Sequence, residues 1–140
     1  MEIVLLAIWR KHMKINILKS KIHRAKVTST KLNYVGSITI DKNLMNAANI
    51  NEYEMVQVVN VNNGNRFETY VIEGEAGSGV IGLNGAAARL AVNGDYVIIM
   101  TYCLLDATEV NKHEPQIVMV DENNAQIQVI NKEKHGDMER

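Results

Sequence analysis

The stretch EMVQVVNVNNGNRFETYVI, residues 54–72, determines the fold class. Two runs rich in branched and aromatic residues flank NNGN. An Asn-Gly pair between such runs is the strongest short-range signal for a tight turn joining antiparallel strands. We therefore predict a β-hairpin with Asn63-Gly64 at its tip.

Further segments of the chain have the same strand-like alternation between turn residues. PQIVMV and AQIQVI, separated by DENN, predict a second hairpin. The predicted strands outside the first hairpin are 33–41 (NYVGSITID), 79–83, 95–102, 115–120 and 125–130. The first of these contains Gly36, although glycine inside a strand weakens it and marks an unusual backbone.

Helical patterns are few and short. DKNLMNAA begins with Asp41 as a plausible N-cap, and 85–91 and 105–112 each allow about two turns. Many short strands with few helices predict a mainly β protein, either a small barrel or a sandwich.

Composition limits the protein class. The 140 residues suffice for one domain, and 46% hydrophobic with 22% charged residues is ordinary for a soluble globular protein. A net charge of −1, without a basic stripe, argues against nucleic-acid binding. Cys103 is the one cysteine, so an internal disulfide is excluded and a reducing compartment fits.

The N-terminal segment admits two interpretations. The apolar run 3–9 is too short to span a membrane, and charges follow it instead of preceding it, which argues against a secretory signal. Either residues 1–12 are an upstream extension of a chain starting at Met13, or they are a flexible tail packing on the surface. We expect one domain over 13–130 and a polar, frayed tail over 131–140.

Two motifs with chemical meaning are better explained structurally. GSGVIG (77–82) has the glycine spacing of a dinucleotide-binding turn, but a strand-like VIGL follows where a helix is required, so a hairpin loop is predicted. The histidines lack metal-ligand spacing, so no metal site is predicted. They are His12, His23, His113 and His135.

Three polar or small-residue segments leave both interpretations open when taken singly. In KIHRAKV, Lys21 and His23 share a strand face, which is either solvated or functional. In NRFETY, alternation puts Arg66, Glu68 and Tyr70 on one face with the same two options. LNGAAAR is either a short packed helix or a place where a ligand approaches backbone N–H groups.

Together these segments resemble pyruvoyl-dependent aspartate 1-decarboxylases. The resemblance covers roughly Met13 to Val129. It rests on KIHRAKVT, LNYVGSITID, NVNNGNRFETYVI, LNGAAAR and GDYVIIMTY, in that order. It implies a double-psi β-barrel with a few short helices, a homotetramer with active sites between subunits, and a cytoplasmic enzyme that supplies β-alanine for pantothenate and coenzyme A. Residues 1–12 depart from the family, which favours the upstream-extension interpretation.

The resemblance also implies that the chain cleaves itself between Gly36 and Ser37. Ser37 Oγ attacks the Gly36 carbonyl carbon and an ester replaces the peptide bond. Elimination then leaves dehydroalanine, which hydrolyses to a pyruvoyl group with loss of ammonia. We expect the glycine to tolerate the unusual backbone that such attack requires.

The implied reaction is the decarboxylation of L-aspartate. The pyruvoyl ketone forms a Schiff base with the substrate amine and accepts the electrons released with CO₂, as pyridoxal phosphate does in other enzymes. No pyridoxal phosphate and no metal are implied. Besides L-aspartate, a maturation factor is an implied partner, whereas nucleic acid and membrane are not.

The remaining roles also come from the resemblance. Tyr70 is the expected proton donor. Arg66 and Lys21 are expected to bind a substrate carboxylate. The other implied substrate-binding residues are Thr69, Gly85, Ala86 and Ala87, and the implied supporting residues are His23, Tyr34 and Asn84. Two rival classes are a non-catalytic barrel that never cleaves and a serine hydrolase, for which no base is recognisable.

Overall fold

The computed structural model describes residues 1–137, and the side chains of all of these except residues 9–11. Within them the strands are β1 (Lys14–Lys26), β2 (Ser29–Lys31), β3 (Ser37–Asp41), β4 (Met55–Asn60), β5 (Arg66–Gly74), β6 (Ile81–Asn84), β7 (Tyr96–Asp106), β8 (Gln116–Val120) and β9 (Gln126–Ile130). The helices are α1 (Glu2–Lys11), α2 (Lys42–Ala48) and two 3₁₀ helices, η1 (Gly85–Leu90) and η2 (Val110–Lys112).

The strands of the described chain form one sheet in the order β2-β6-β3-β5-β4-β7-β1-β8-β9. The pairs β3–β5, β2–β6 and β1–β8 are parallel, and the other pairs are antiparallel. The prediction of a mainly β protein with few short helices is confirmed. The sheet is barrel-like but not closed, since β2 and β9 remain its edges.

The sheet encloses one apolar core, because alternate strand residues point to the same side. The helix α2 covers part of this core with Leu44, Met45 and Ala48. The fully buried apolar strand residues are Ile22, Ala25, Ile38, Ile40, Val58, Val71, Ile81, Leu83, Val97, Ile99 and Val118.

Both predicted hairpins form. In the first, β4 and β5 pair antiparallel up to Val59 opposite Arg66, and Gly64 in the turn has φ +76°. In the second, β8 pairs antiparallel with β9. The predicted cap of α2 is also confirmed, since the Asp41 carboxylate accepts from the Asn43 N–H at 2.8 Å.

The strand predicted over 33–41 is shorter in the structure. It begins at Ser37, and the residues from Leu32 to Gly36 form a turn and bend. The ladder starts there because its antiparallel partner β6 ends at Asn84, opposite Ser37. Gly36 therefore lies just outside the strand and not within it.

Two other local predictions are wrong. The segment 105–112 is not a two-turn helix. The strand β7 continues to Asp106, which pairs with Lys14 of the long strand β1, and only η2 follows. The loop between β5 and β6 does not close a hairpin, because β3 lies between those two strands and pairs with both.

The N-terminal segment forms the helix α1, which the sequence did not predict. Its apolar side chains are exposed from Ile3, at 84%, to Ile8, at 51%. Among residues 1–137, no helix is both long and apolar enough to cross a membrane. Of the predicted frayed tail, residues 131–137 have no helix or strand, and 138–140 lie outside the described residues.

Candidate active site

The register of three strands places Ser37 between two other candidate residues. In the antiparallel β3–β6 pair, Ser37 lies opposite Asn84. In the parallel β3–β5 pair, Ile38 lies opposite Val71. One position earlier on both strands, Ser37 is level with Tyr70. Pairing between strands thus brings Ser37 together with residues that follow it by 33 and 47 positions in the chain.

A cavity of about 380 Å³ opens at this point of the sheet. Its lining residues are Gly36, Ser37, Phe67, Glu68, Thr69, Tyr70, Asn84, Ala86, Ala87 and Leu90. Seven of these ten are residues that the sequence singled out. The sequence reasoning gave no site role to Phe67, Glu68 and Leu90, although it placed Glu68 on the same strand face as Tyr70 and left the function of that face open. Phe67 could have been found, since it shares a strand face with Thr69.

The hydroxyl of Ser37 is buried and held in place by an amide. Ser37 is 2% exposed, and the Asn84 Nδ2 donates to its Oγ at 3.0 Å. The same nitrogen donates to Thr39 Oγ1, also at 3.0 Å. The accepted bond occupies one lone pair of Ser37 Oγ and fixes where the oxygen lies next to the Gly36–Ser37 peptide bond.

The backbone before Ser37 packs directly against Gly85. That glycine has φ +65°, and a Cβ added to it would lie 2.7 Å from Gly36 Cα and 3.1 Å from the Tyr34 carbonyl oxygen. Gly36 itself has no positive φ, and a Cβ added to it would have the Asn84 carbonyl oxygen as its nearest neighbour, at 3.9 Å. The left-handed glycine required at this site is therefore Gly85 and not Gly36.

Tyr70 lies at the rim of the cavity. Its side chain is partly exposed, and its ring lies beside that of Tyr53, with centroids 6.5 Å apart and planes inclined at 39°. Thr69, one position earlier, is half-buried and lines the same cavity.

Four predicted site residues do not line the cavity of the single chain. Arg66 is exposed and donates from Nη2 to Gln57 Oε1 at 3.3 Å. Lys21 lies on β1, where its ammonium pairs with the Glu133 carboxylate. His23 is half-buried on β1, and Tyr34 is exposed with the Lys31 ammonium 5.4 Å from its ring centroid.

A larger cavity of about 580 Å³ lies between α2 and the loops at 77–79 and 123–126. Its carboxylate, Asp41, accepts from the backbone N–H groups of Asn43, Gly77 and Gly79 at 2.8, 3.1 and 2.8 Å. These bonds account for the buried charge as a structural cap and loop anchor. The cavity is lined by amides, apolar groups and this carboxylate, so the smaller cavity is the better reaction site.

Metal ligands do not group in the described part of the chain. Among residues 1–137, no three His, Cys, Asp or Glu side chains lie close enough to hold a metal ion.

Comparison with known proteins gives first the class and then the family. The family model described as Aspartate decarboxylase matches residues 13–127, which is most of the chain. The match starts at Met13, the methionine considered above as an alternative start. The protein is thus a decarboxylase, a carboxy-lyase.

Three relatives named Aspartate 1-decarboxylase are highly similar. That of Caldicellulosiruptor saccharolyticus is 65% identical over 125 residues, and that of Clostridium acetobutylicum is 62% identical over 124 residues. That of Clostridium kluyveri is 60% identical over 124 residues. Each match covers 89% of this chain and 98% of the relative. The chain therefore belongs to the aspartate decarboxylase family, and the resemblance inferred from its motifs is confirmed.

Proposed function

We propose that this decarboxylase converts L-aspartate to β-alanine and CO₂, in pantothenate and coenzyme A synthesis, with a pyruvoyl group that it forms from Ser37. The observation that carries the proposal is the position of Ser37. It is a buried serine directly after a glycine, at the head of a strand, level with Tyr70 and bonded to Asn84. The names of the relatives support the substrate.

The Gly36–Ser37 bond is the proposed cleavage site. Ser37 Oγ attacks the Gly36 carbonyl carbon, the C–N bond breaks, and the residue 37 nitrogen takes up the proton. Loss of the residue 37 α-hydrogen then breaks the ester and leaves Gly36 as a carboxylate. Water then adds to the resulting dehydroalanine and ammonia leaves, which gives the pyruvoyl group. Asn84 supports the attack by fixing the Ser37 oxygen, and the exposed Gly36 supports access of water for the last step.

The surroundings of Ser37 fit a pyruvoyl group. Residue 37 would begin the new chain and remain in place through the β3 ladder to β5 and β6. The group supplies an electrophilic carbonyl that accepts the electron pair released when a carboxylate leaves as CO₂. In that cavity the Tyr70 phenol is the proposed donor of a proton to the substrate α-carbon.

Substrate binding is assigned to the small residues at the start of η1. Gly85, Ala86 and Ala87 carry short or no side chains, so a ligand can approach their backbone N–H groups. Thr69 adds a hydroxyl on the opposite wall. A cavity of about 380 Å³ is of the size expected for a small ligand such as an amino acid.

The cationic residues point to a shared site. Aspartate retains one carboxylate after the reaction, and a guanidinium binds a carboxylate through two parallel hydrogen bonds. Since Arg66 and Lys21 do not line the cavity of their own chain, we assign them, with His23 and Tyr34, to a site completed by a neighbouring subunit of a homotetramer.

The family model, which matches residues 13–127, supports a catalytic domain that begins at Met13. Residues 13–130 form the proposed catalytic domain, 1–12 an extension and 131–140 a tail. The family model begins at residue 13, and the relatives cover 89% of this chain. A cytoplasmic location agrees with a biosynthetic enzyme, and a maturation factor remains a candidate partner.

The test is formation of β-alanine from L-aspartate by the purified protein and by Ser37→Ala. We expect the variant to remain uncleaved and to form no β-alanine, because the attacking oxygen is absent. Ser78→Ala is the matched control, since Ser78 also follows a glycine but lies in an exposed loop. Ser78→Ala should cleave and react normally. Full activity in Ser37→Ala would refute the proposal.

A further inference from the structure

Three asparagine side chains converge on one backbone carbonyl at the edge of the proposed active site. The Leu90 carbonyl oxygen accepts from the amide nitrogens of Asn60, Asn63 and Asn65 at 3.2, 3.0 and 3.2 Å. A carbonyl has two lone pairs, so three donors are more than it ordinarily receives. Leu90 is the last residue of η1 and lines the cavity.

These three asparagines are themselves held by the turn between β4 and β5. Asn60 is fully buried, donates also to Asp95 Oδ2 at 2.9 Å and accepts from the Asn62 N–H at 2.9 Å. The Oδ1 of Asn63 accepts from the Asn65 N–H at 2.9 Å. The side-chain amides of Asn60 and Asn63 are therefore fixed in orientation by bonds besides those to the carbonyl, and the backbone of Asn65 is held by Asn63.

The helix η1 needs such external support. A 3₁₀ helix has poorer internal hydrogen-bond geometry than an α-helix, and the residue at its N-cap, Asn84, makes no side-chain cap bond. At its first residue, Gly85, the helix abuts the Gly36 backbone. At its last residue, Leu90, it is bound by the three asparagines.

The hydrogen bonds from the three asparagines to Leu90 connect two walls of the cavity. One wall is η1, with Ala86 and Ala87. The other wall is β5, with Thr69 and Tyr70, which begins directly after the asparagine-rich turn. A shift of the turn relative to η1 would change the spacing between the proposed substrate-binding residues and the proposed proton donor.

We propose that Asn60, Asn63 and Asn65 form an asparagine clamp, a set of positioning residues that holds η1 against β5 and thereby sets substrate affinity. The clamp makes no contact with the substrate and acts through Leu90. The part concerning affinity rests on the proposed function.

Asn63→Asp tests the clamp with little other change. Aspartate keeps an oxygen to accept from the Asn65 N–H but loses the amide donor to Leu90. Asn62→Asp is the matched control. Asn62 neighbours it in the same turn, its Oδ1 accepts from the Tyr96 N–H at 2.8 Å, and aspartate preserves that bond while adding the same charge.

For Asn63→Asp we expect complete Gly36–Ser37 cleavage, a KM for L-aspartate raised about threefold to tenfold, and kcat within about twofold of the unmodified sequence. Amide hydrogen exchange over 85–91 should be at least about threefold faster, with exchange in β7 unchanged. Asn62→Asp should match the original protein in every measurement.

The exchange measurement separates this inference from the proposed function. Equal exchange over 85–91 in Asn63→Asp and Asn62→Asp overturns the clamp, whatever the activity. Faster exchange with an unchanged KM overturns its role in substrate affinity. If the original protein forms no β-alanine while Asn63→Asp exchanges faster over 85–91, the proposed function fails and the clamp stands.

Discussion

At the scale of single residues, the Asn84 amide gives the buried Ser37 hydroxyl its partner. A buried hydroxyl without a hydrogen bond costs roughly 1–3 kcal/mol, and Asn84 Nδ2 prevents that cost for Ser37 while it also donates to the half-buried Thr39. The Ser37 oxygen, which is proposed to attack the Gly36 carbonyl carbon, is thus hydrogen-bonded and fixed in position before cleavage.

Tyr70→Phe should leave Gly36–Ser37 cleavage intact and lower kcat by about 10²- to 10⁴-fold, because the ring remains and only the donated proton is lost. Steady-state rates of β-alanine formation, with the cleaved fraction measured by mass, check this. Tyr53→Phe is the matched control, since its ring lies beside that of Tyr70. An unchanged kcat in Tyr70→Phe would refute the proton-donor role.

Gly85→Ala should both destabilise the protein and slow cleavage. The new Cβ would need to occupy a position 2.7 Å from Gly36 Cα, and alanine disfavours φ +65°. We expect a loss of roughly 1–3 kcal/mol in the free energy of unfolding and a slower appearance of the cleaved chains.

The control for this prediction is Gly94→Ala. Gly94 also has a positive φ, +95°, but no atom lies within 4 Å of the added Cβ. It should lose stability through backbone strain alone and cleave at the normal rate. Equal cleavage rates in the two variants would show that the contact between Gly85 and Gly36 does not matter.

At the scale of elements, an ion pair fastens the segment before β4 to β1. Glu54 accepts from the Lys19 ammonium at 2.7 Å and from the Asn51 N–H at 3.1 Å. Burial tends to raise the pKa of Glu54, but the bonds from Lys19 and Asn51 outweigh it and lower that pKa below its usual 4.5. Both side chains are about four-fifths buried.

Glu54→Gln should cost about 1 kcal/mol of unfolding free energy at pH 7. Because the folded-state pKa is lowered, the carboxylate stabilises the fold above the unfolded-state pKa and loses this effect as pH falls through the folded-state value. The difference between the two proteins should therefore vanish in acid. Urea unfolding at several pH values measures it.

Glu73→Gln serves as the comparison for that experiment. Glu73 pairs with Lys42, but both side chains are 42% exposed, and exposed pairs contribute little. A loss as large for Glu73→Gln as for Glu54→Gln, or a difference that persists in acid, would contradict the explanation.

Local signals in the sequence predicted the elements that depend on local chemistry. Asn63-Gly64 predicted the first hairpin, and Asp41 predicted the start of α2. The end of β7 could not be predicted from the neighbouring sequence, because residues up to Asp106 are held in the strand by pairing with β1, which is distant in the chain. The start of β3 at Ser37 likewise depends on where β6 ends.

The sequence predicted only those residues of the candidate site that belong to the family's motifs. The resemblance named Ser37, Tyr70 and Asn84, which strand register brings together. Leu90 was missed because its role depends on side chains 25 or more positions earlier. The location of Arg66 outside the cavity also follows from the three-dimensional path of β5 and not from its motif.

At the scale of the whole molecule, α1 stands apart from the core. A chain beginning at Met13 should unfold with a free energy within about 0.5 kcal/mol of the original, because the side chains of residues 1–8 are exposed. Urea unfolding of both chains checks this. The bond from the Ala107 N–H to the Met13 carbonyl, 2.9 Å, is retained.

A chain beginning at Ile17 provides the contrast. This truncation removes Lys14 to Asn16, the β1 residues that pair with the end of β7. The truncated protein should therefore have a measurably lower free energy of unfolding. If removal of residues 1–12 destabilised the protein as much as this deeper truncation, residues 1–12 would be part of the fold and not an extension.

The central claim, that the chain cuts itself at Gly36–Ser37 and converts Ser37 to a pyruvoyl group, is tested most directly by an intact mass spectrum of the denatured protein. We predict two chains separated at that bond, the larger one lighter than a serine-started chain by the mass of one ammonia. A single chain of full mass, both as purified and after incubation with cell extract, would contradict the claim.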